Sequence, residues 1–137
     1  MFTIIFPVLN ERLRLESGVT RTVEYLQSIA FEDYEIIIVD NGSEDETPQI
    51  AEKLCKKYDK VKYERINVRG VGAAFRRGVE VSHGDVVGYM DIDLSTNIRH
   101  LGEAIHLFET QPEVQYINGS RFARESDTKG RKWYRRI

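Results

Sequence analysis

Residues 34–40 have the sequence YEIIIVD, and this short run decides the fold. It is almost continuously apolar and rich in β-branched residues, which is typical of a strand buried on both faces of a parallel sheet. The turn sequence NGS follows at 41–43, and Thr47-Pro48 then predicts a helix start, with Thr47 as the N-cap. Because parallel strands need crossover connections, usually helices, the run predicts an α/β domain.

The same alternation of strands and helices extends in both directions along the chain. We predict further strands at 2–6 (closed by Pro7), 61–66, 85–91 and 114–117. We predict helices at about 16–30, 48–58 and 73–82, and another around 101–108. Strands that alternate with helices indicate a mainly parallel sheet flanked by helices, a Rossmann-like three-layer sandwich that binds ligands at the carboxyl ends of its strands.

Length and composition indicate one folded domain. The chain has 137 residues, 41% of them hydrophobic, and no apolar run approaches the roughly 20 residues that span a membrane. The start of the chain lacks the basic segment and the cleavage site of a signal peptide. Cys55 is the only cysteine, which excludes an internal disulfide and favours a reducing compartment. We therefore expect a cytoplasmic protein, with Cys55 a packed or half-buried thiol and Tyr58, Tyr63 and Tyr89 in the core.

The charge is distributed unevenly. The net charge is −2, but residues 121–137 hold seven basic and two acidic residues, which leaves −7 on residues 1–120. This basic segment is either a solvated terminus or an edge that binds phosphate or an anionic membrane surface. We expect a boundary at this point, between a core at 1–120 and a basic segment at 121–137.

Asp91 and Asp93 follow the predicted strand at 85–91. If the backbone stays extended, two residues of this spacing project to the same face. Two carboxylates so close repel each other unless a cation or a shared proton neutralises them, and oxygen ligands suit Mg²⁺ or Mn²⁺. The pair therefore indicates a divalent metal site, because two acids at the end of a buried strand otherwise cost stability. The alternative is a solvated surface turn.

Two other motifs lie at the wrong positions relative to the predicted strands to indicate a function. Gly70 and Gly72 suggest a dinucleotide fingerprint, but they follow the third predicted strand, and Phe75 occupies the position of the third glycine. Asp91-x-Asp93 is similar to a phosphatase nucleophile motif, which belongs after the first strand instead. Neither function is expected.

Five segments together resemble family 2 glycosyltransferases of the GT-A fold, and most of all the dolichyl-phosphate mannose synthase and dolichyl-phosphate glucosyltransferase group. The segments are FPVLNE at 6–11, VDNGSEDET at 39–47, RGVGAAFRRG at 69–78, GD at 84–85 leading to MDIDLS at 90–95, and GSR at 119–121. The resemblance covers nearly the whole chain. It implies a nucleotide-diphosphosugar transferase that moves a hexose from a GDP-mannose or UDP-glucose type of donor to a polyprenyl or dolichyl phosphate, with Mg²⁺ or Mn²⁺ and with inversion.

The resemblance also assigns roles to individual residues. The donor-nucleotide residues that it implies are Pro7, Leu9, Glu11, Val39, Asp40, Asn41, Asp91 and Ile92. The implied metal and diphosphate ligands are Asp91, Asp93 and Ser95, and Asp93 and Arg121 are the implied catalytic residues. Arg121 and Arg135 match residues near the acceptor phosphate, with Arg136 the competing choice for the second. Asn41 stands where the family often has a second Asp, and Ile92 replaces the usual Ala.

The resemblance further implies a peripheral protein at the cytoplasmic face of a membrane. The basic segment and further downstream sequence would provide the contact, because relatives continue well past the position of Ile137, and we expect no nucleic-acid partner. An ionised lipid phosphate needs no strong general base, whereas a sugar hydroxyl acceptor would need one. Two alternatives stay open: a nucleotide-sugar-binding domain without turnover, and a transferase with a hydroxyl acceptor.

Overall fold

The computed structural model describes residues 1–119. Along the chain the elements are β1 (Phe2–Val8), α1 (Leu15–Ser28), β2 (Tyr34–Asp40), α2 (Thr47–Lys57), β3 (Val61–Arg65), α3 (Val71–Val81), β4 (Val86–Tyr89) and α4 (Arg99–Thr110). The four strands form one parallel sheet in the order β3-β2-β1-β4. The predicted parallel α/β fold is confirmed.

The apolar run at 34–40 forms β2, a central strand whose seven residues are all buried. Right-handed crossovers place α1 and α2 on one face of the sheet, and the return connection from β3 to β4 places α3 on the other. On the α3 face, Ile5, Ile37, Val39 and Ala74 form a fully buried cluster. Gly78 allows this close packing, because a Cβ there would overlap the Ile5 side chain. The core therefore fixes β1 and β2, whose ends carry the candidate donor residues.

Residues 1–102 form one compact unit, which contains the sheet and the first three helices. The second unit begins at Glu103, inside α4. The predicted boundary between 120 and 121 falls at the limit of the described residues and stays a prediction.

The first strand is longer than predicted, because it continues through Pro7 to Val8. Ile5 accepts a hydrogen bond from Met90 N on the β4 side, whereas Val8 accepts one from Asn41 N on the β2 side. Alternate residues thus face alternate neighbours, and Pro7 faces the β4 side beyond the last paired residue of β4. The missing N–H of Pro7 therefore removes no ladder hydrogen bond.

Three other predictions were wrong. No strand forms at 114–117 within residues 1–119, and Tyr116 is 79% exposed. The β4 strand is not buried, since Gly88 and Tyr89 are exposed, so Tyr89 is not a core residue. Thr47 is the first residue of α2 and not its N-cap, because its hydroxyl bonds to another loop.

Candidate functional site

The carboxyl ends of β1 and β2 form the first part of the candidate site. The two strands pair in parallel as far as Val8 and Asp40, so their last residues lie side by side. Asn41 continues this contact by donating its backbone N–H to Val8 O at 2.9 Å. The loops that leave the two strands therefore start from neighbouring points at one edge of the sheet, as the parallel topology predicts.

These two loops are joined by hydrogen bonds. Asn10 N donates to Ser43 Oγ at 2.8 Å, and Glu44 N donates back to Asn10 Oδ1 at 2.9 Å. Asn10 adopts a φ of 55°, a left-handed conformation that asparagine tolerates. Glu11 N donates to Thr47 Oγ1 at 2.9 Å, which explains why Thr47 does not cap its own helix. The two loops thus form one hydrogen-bonded frame.

Asp40 is the central anion of this frame. Its side chain is fully buried, and its Oδ1 accepts a hydrogen bond from Ser43 N at 2.7 Å. Its Oδ2 accepts hydrogen bonds from Tyr63 Oη at 2.8 Å and from Arg65 Nη1 at 3.1 Å. Burial and the hydrogen bond to Asp40 raise the pKa of Tyr63 to about 12, so this hydroxyl stays a donor at physiological pH. The Asp40 carboxylate is therefore held from both sides by internal donors.

Asn41, the next residue, is the exception in this frame. It is 4% exposed, and its Nδ2 lies 3.5 Å from Val8 O. Its Oδ1 is the one buried side-chain oxygen or nitrogen without a hydrogen-bond partner in the part of the chain that the structure describes. An unsatisfied buried acceptor costs about 1–3 kcal/mol, so it is a position where a donor from a ligand would stabilise the protein.

The other predicted donor residues lie along the same edge. Val39 is fully buried and Leu9 is 38% exposed. Pro7 is half-buried in β1, and the half-buried Glu11 accepts two hydrogen bonds from Arg14, at 2.7 and 3.1 Å. Val39 thus packs in the core, whereas Leu9 and Glu11 lie partly exposed beside the frame.

The segment at 91–95 has a different local structure from the one that the sequence predicted. The backbone turns after β4, with Leu94 N donating to Asp91 O at 3.1 Å and Leu94 at a φ of 50°. Asp93 Oδ1 then accepts a hydrogen bond from Ser95 N at 2.9 Å. The condition of an extended backbone is not met, and both carboxylates are exposed on a turn.

Ile92 fixes this turn to the body of the fold. It is 4% exposed, whereas its two acidic neighbours are exposed. A Cβ on Gly18 of α1 would overlap the Ile92 backbone carbonyl and side chain, so α1 and the turn are in close contact. Ile92 acts through packing, which holds the two carboxylates at the end of β4, next to β1 in the sheet.

The residues at this turn fit a divalent ion by the chemistry of their donors. Asp91, Asp93 and Ser95 offer hard oxygen ligands, which Mg²⁺ and Mn²⁺ prefer. Within residues 1–119 no group of three or more His, Cys, Asp or Glu side chains could hold a metal. Magnesium is usually held by one or two protein carboxylates together with waters and substrate phosphates, so a pair is sufficient. The burial of β4, on which the sequence prediction relied, does not support the site; the donor chemistry and the position do.

Several predicted features lie outside the described residues. They are Arg121, Arg135, the competing Arg136 and the basic segment at 121–137 as a whole. In the described part of the chain, no helix has the length and apolar character needed to cross a bilayer.

Sequence reasoning missed the residues that build the frame. Tyr63 was expected in the core, and no role was given to Arg65, although their spacing of two places them on the same face of β3. The sequence pattern indicates only a turn at Ser43 and a helix start at Thr47. The signal that could have found them is the buried acid at the end of β2, since a buried carboxylate needs donors from neighbouring elements.

Comparison with known proteins places this architecture in a family. The profile of Glycosyl transferase family 2 matches residues 3–137. Glycosyltransferase AglD of Haloferax volcanii is 35% identical over 88% of this chain and 19% of its own length. The dolichyl-phosphate beta-glucosyltransferase of Mus musculus is 32% identical over 96% of this chain and 44% of its own length. The dolichol-phosphate mannosyltransferase of Pyrococcus furiosus is 30% identical over 98% and 37%.

The chain thus spans between 19% and 44% of the length of these curated relatives. Among solved structures, glucosyl-3-phosphoglycerate synthase of Mycobacterium tuberculosis, in complex with Mn²⁺, UDP and glucosyl-3-phosphoglycerate, aligns with a TM-score of 0.62 at 23% identity. The alignment covers 80% of this chain and 40% of the synthase chain, and at 23% identity the similarity shows the fold alone. The sequence match over residues 3–137 and the shared fold show that the chain belongs to glycosyl transferase family 2.

Proposed function

We propose that this chain carries the donor-binding part of a hexosyltransferase that uses a nucleotide diphosphosugar and a polyprenyl or dolichyl phosphate. The observation that carries the proposal is the shared edge of the sheet, where the bonded loops after β1 and β2 lie beside the acidic turn after β4. A nucleotide diphosphate has a neutral base at one end and two anionic phosphates at the other. The edge offers a neutral acceptor at Asn41 and oxygen ligands at Asp91 and Asp93.

The donor residues divide between these two parts. Pro7, Leu9 and Glu11 would line the nucleotide on the β1 side, and Val39, Asp40 and Asn41 belong to the segment at its base and ribose. Asp91 and Ile92 would lie at the diphosphate. Asn41 is neutral where the family often has a carboxylate, so its contact with the base is a hydrogen bond without a charge.

Asp91, Asp93 and Ser95 are the residues that would hold Mg²⁺ or Mn²⁺. When bound, the ion supplies positive charge that stabilises the departing nucleoside diphosphate. The protein contributes two carboxylates on a turn that Ile92 anchors, one of which also bonds to Ser95 N. The Mn²⁺ in the structural relative supports a divalent ion for this family.

The acceptor is proposed from the names of the relatives, of which two act on dolichyl or dolichol phosphate. Such a phosphate is already ionised near neutral pH, since its second pKa is about 6. It can attack the sugar without a strong base and, from the face opposite the leaving group, inverts the anomeric centre. Arg121 and Arg135 would bring the two anions together, and the basic segment would contact the cytoplasmic face of the membrane.

The test measures two quantities for the chain with a panel of nucleotide sugars and Mn²⁺. These are the affinity for each nucleotide sugar and the rate of sugar transfer to a polyprenyl phosphate. We expect nucleotide-sugar binding that depends on Mn²⁺ and is lost in Asp93→Asn, while the matched exposed control Asp59→Asn binds like the wild type. Equal affinity with and without Mn²⁺ would remove the metal from the proposal. Binding without turnover, even with downstream residues added, would favour the nucleotide-sugar-binding domain.

A further inference from the structure

The second donor segment contains two polar side chains in opposite situations. Asp40 has both carboxylate oxygens engaged by donors of the protein itself, whereas Asn41 Oδ1 has none. A carboxylate that is fully buried and bonded on both oxygens has little capacity left for a ligand. Asp40 therefore stabilises the loop, whereas Asn41 Oδ1 can accept a hydrogen bond from a ligand.

The two side-chain donors that hold Asp40, both at Oδ2, come from the edge strand β3. Asp40 and Arg65 are register partners, and Tyr63 lies two residues before Arg65 on the same face. Arg65 also donates from Nη2 to Ser43 O at 2.9 Å, so one guanidinium binds both ends of the 40–43 turn. A planar guanidinium can make both contacts at once, which an ammonium group cannot match.

We propose that Tyr63 and Arg65 are positioning residues for donor specificity, which fix the 40–43 turn through Asp40 so that Asn41 can accept an N–H of the nucleotide base. The inference rests on the proposed function. Oδ1 is buried in the free protein, so the contact requires a rotation of the Asn41 side chain toward the ligand. Bases with a ring N–H next to a carbonyl, namely uracil and guanine, match an amide side chain, which can accept from that N–H and donate to that oxygen.

The test compares binding of UDP, GDP and CDP to the full chain in the presence of Mn²⁺, by NMR titration. CDP is the comparison because the ring N3 of cytosine carries no hydrogen, so that only the exocyclic amino group of this base could donate to Oδ1. We expect UDP or GDP to bind more tightly than CDP, and Tyr63→Phe to weaken the preferred nucleotide about 5- to 10-fold, the size of one hydrogen bond. Arg65→Lys should weaken it as well, and the matched control Tyr58→Phe, whose hydroxyl bonds to Thr20 on the surface of the helices, should not.

A double-mutant cycle separates positioning from general stability. If Tyr63 acts through Asn41, the effect of Tyr63→Phe disappears in an Asn41→Ala background, while any effect on the melting temperature stays additive. Unchanged affinity in Tyr63→Phe, or the same loss in both backgrounds, overturns the inference but leaves the proposed function standing. No binding of any of the three nucleotides by the wild type overturns both.

Discussion

Glu35 is a buried carboxylate near the amino end of the central strand β2, opposite the end that carries the candidate site, and its replacement tests how this end of the sheet is held together. The side chain is 6% exposed. It accepts hydrogen bonds from Thr3 Oγ1 at 2.7 Å, Lys62 Nζ at 2.7 Å and His83 N at 2.6 Å. These partners belong to β1, β3 and the segment before β4, so one carboxylate connects three parts of the sheet around β2.

The magnitude follows from the pKa of this group. Burial alone raises the pKa of Glu35, but the hydrogen bonds from Lys62, His83 N and Thr3 outweigh it and lower the pKa from 4.5 to about 2. By linkage this difference amounts to about 3 kcal/mol of stability in favour of the ionised form. Because the folded pKa is depressed, the contribution is complete above pH 4.5 and is lost as the pH falls toward 2; about 1.4 kcal/mol remains at pH 3.

Glu35→Gln imitates the protonated side chain at every pH. We expect it to lower the free energy of unfolding by about 3 kcal/mol at pH 7 and pH 5, and by about half as much at pH 3. Urea unfolding followed by circular dichroism at the three pH values measures the difference. The control is Glu32→Gln, which removes an exposed ion pair with Lys60 and should cost at most about 0.5 kcal/mol. A difference at pH 7 that persists undiminished at pH 3 would refute the electrostatic reasoning.

Three further outcomes are expected. Gly18→Ala should lower the free energy of unfolding by about 1–3 kcal/mol and weaken Mn²⁺-dependent UDP binding, because its Cβ would displace Ile92; unchanged stability would contradict the contact. Ala30→Gly should raise the free energy of unfolding by about 1 kcal/mol, because Ala30, two residues after the end of α1, adopts a φ of 54°. Ala73→Gly inside α3 should lower it by a similar amount, and thermal unfolding measures both changes. Arg121→Lys should reduce the rate of transfer to polyprenyl phosphate more than the affinity for the donor. Equal transfer rates in the two proteins would favour the alternative of a solvated terminus.

The sequence predicted the parts of the fold that depend on a local pattern. The buried strand β2 was predicted at its observed bounds, because a strand buried along its whole length leaves an almost continuous apolar run. The end of β1 was predicted too early, because Pro7 breaks a strand only where its N–H would be needed, and that depends on how far β4 extends. The strand at 114–117 shows the opposite error, since a suitable pattern forms no strand without a partner.

The candidate site also has parts that a local pattern predicts and parts that depend on contacts between distant residues. The segments at the strand ends could be recognised from their spacing, and membership in the family is confirmed. The roles inside those segments could not be predicted from the sequence, because Asp40 and Asn41 are adjacent and both polar. Only the contacts show that Asp40 is satisfied by Tyr63, Arg65 and Ser43 N, while Asn41 Oδ1 is not.

The two halves of the candidate site also differ in how far they are formed before a ligand binds. The loops after β1 and β2 are bonded to each other and to β3 before any ligand arrives, so the base would meet a frame whose ordering entropy has already been lost on folding. The acidic turn is anchored at Ile92, but its two carboxylates are exposed. A divalent cation bound there would gain most when diphosphate oxygens complete its ligands, since two protein carboxylates fill only part of its coordination. Metal and diphosphate should therefore bind cooperatively at the turn, whereas base selection should depend on the frame and stay the same when Mg²⁺ replaces Mn²⁺.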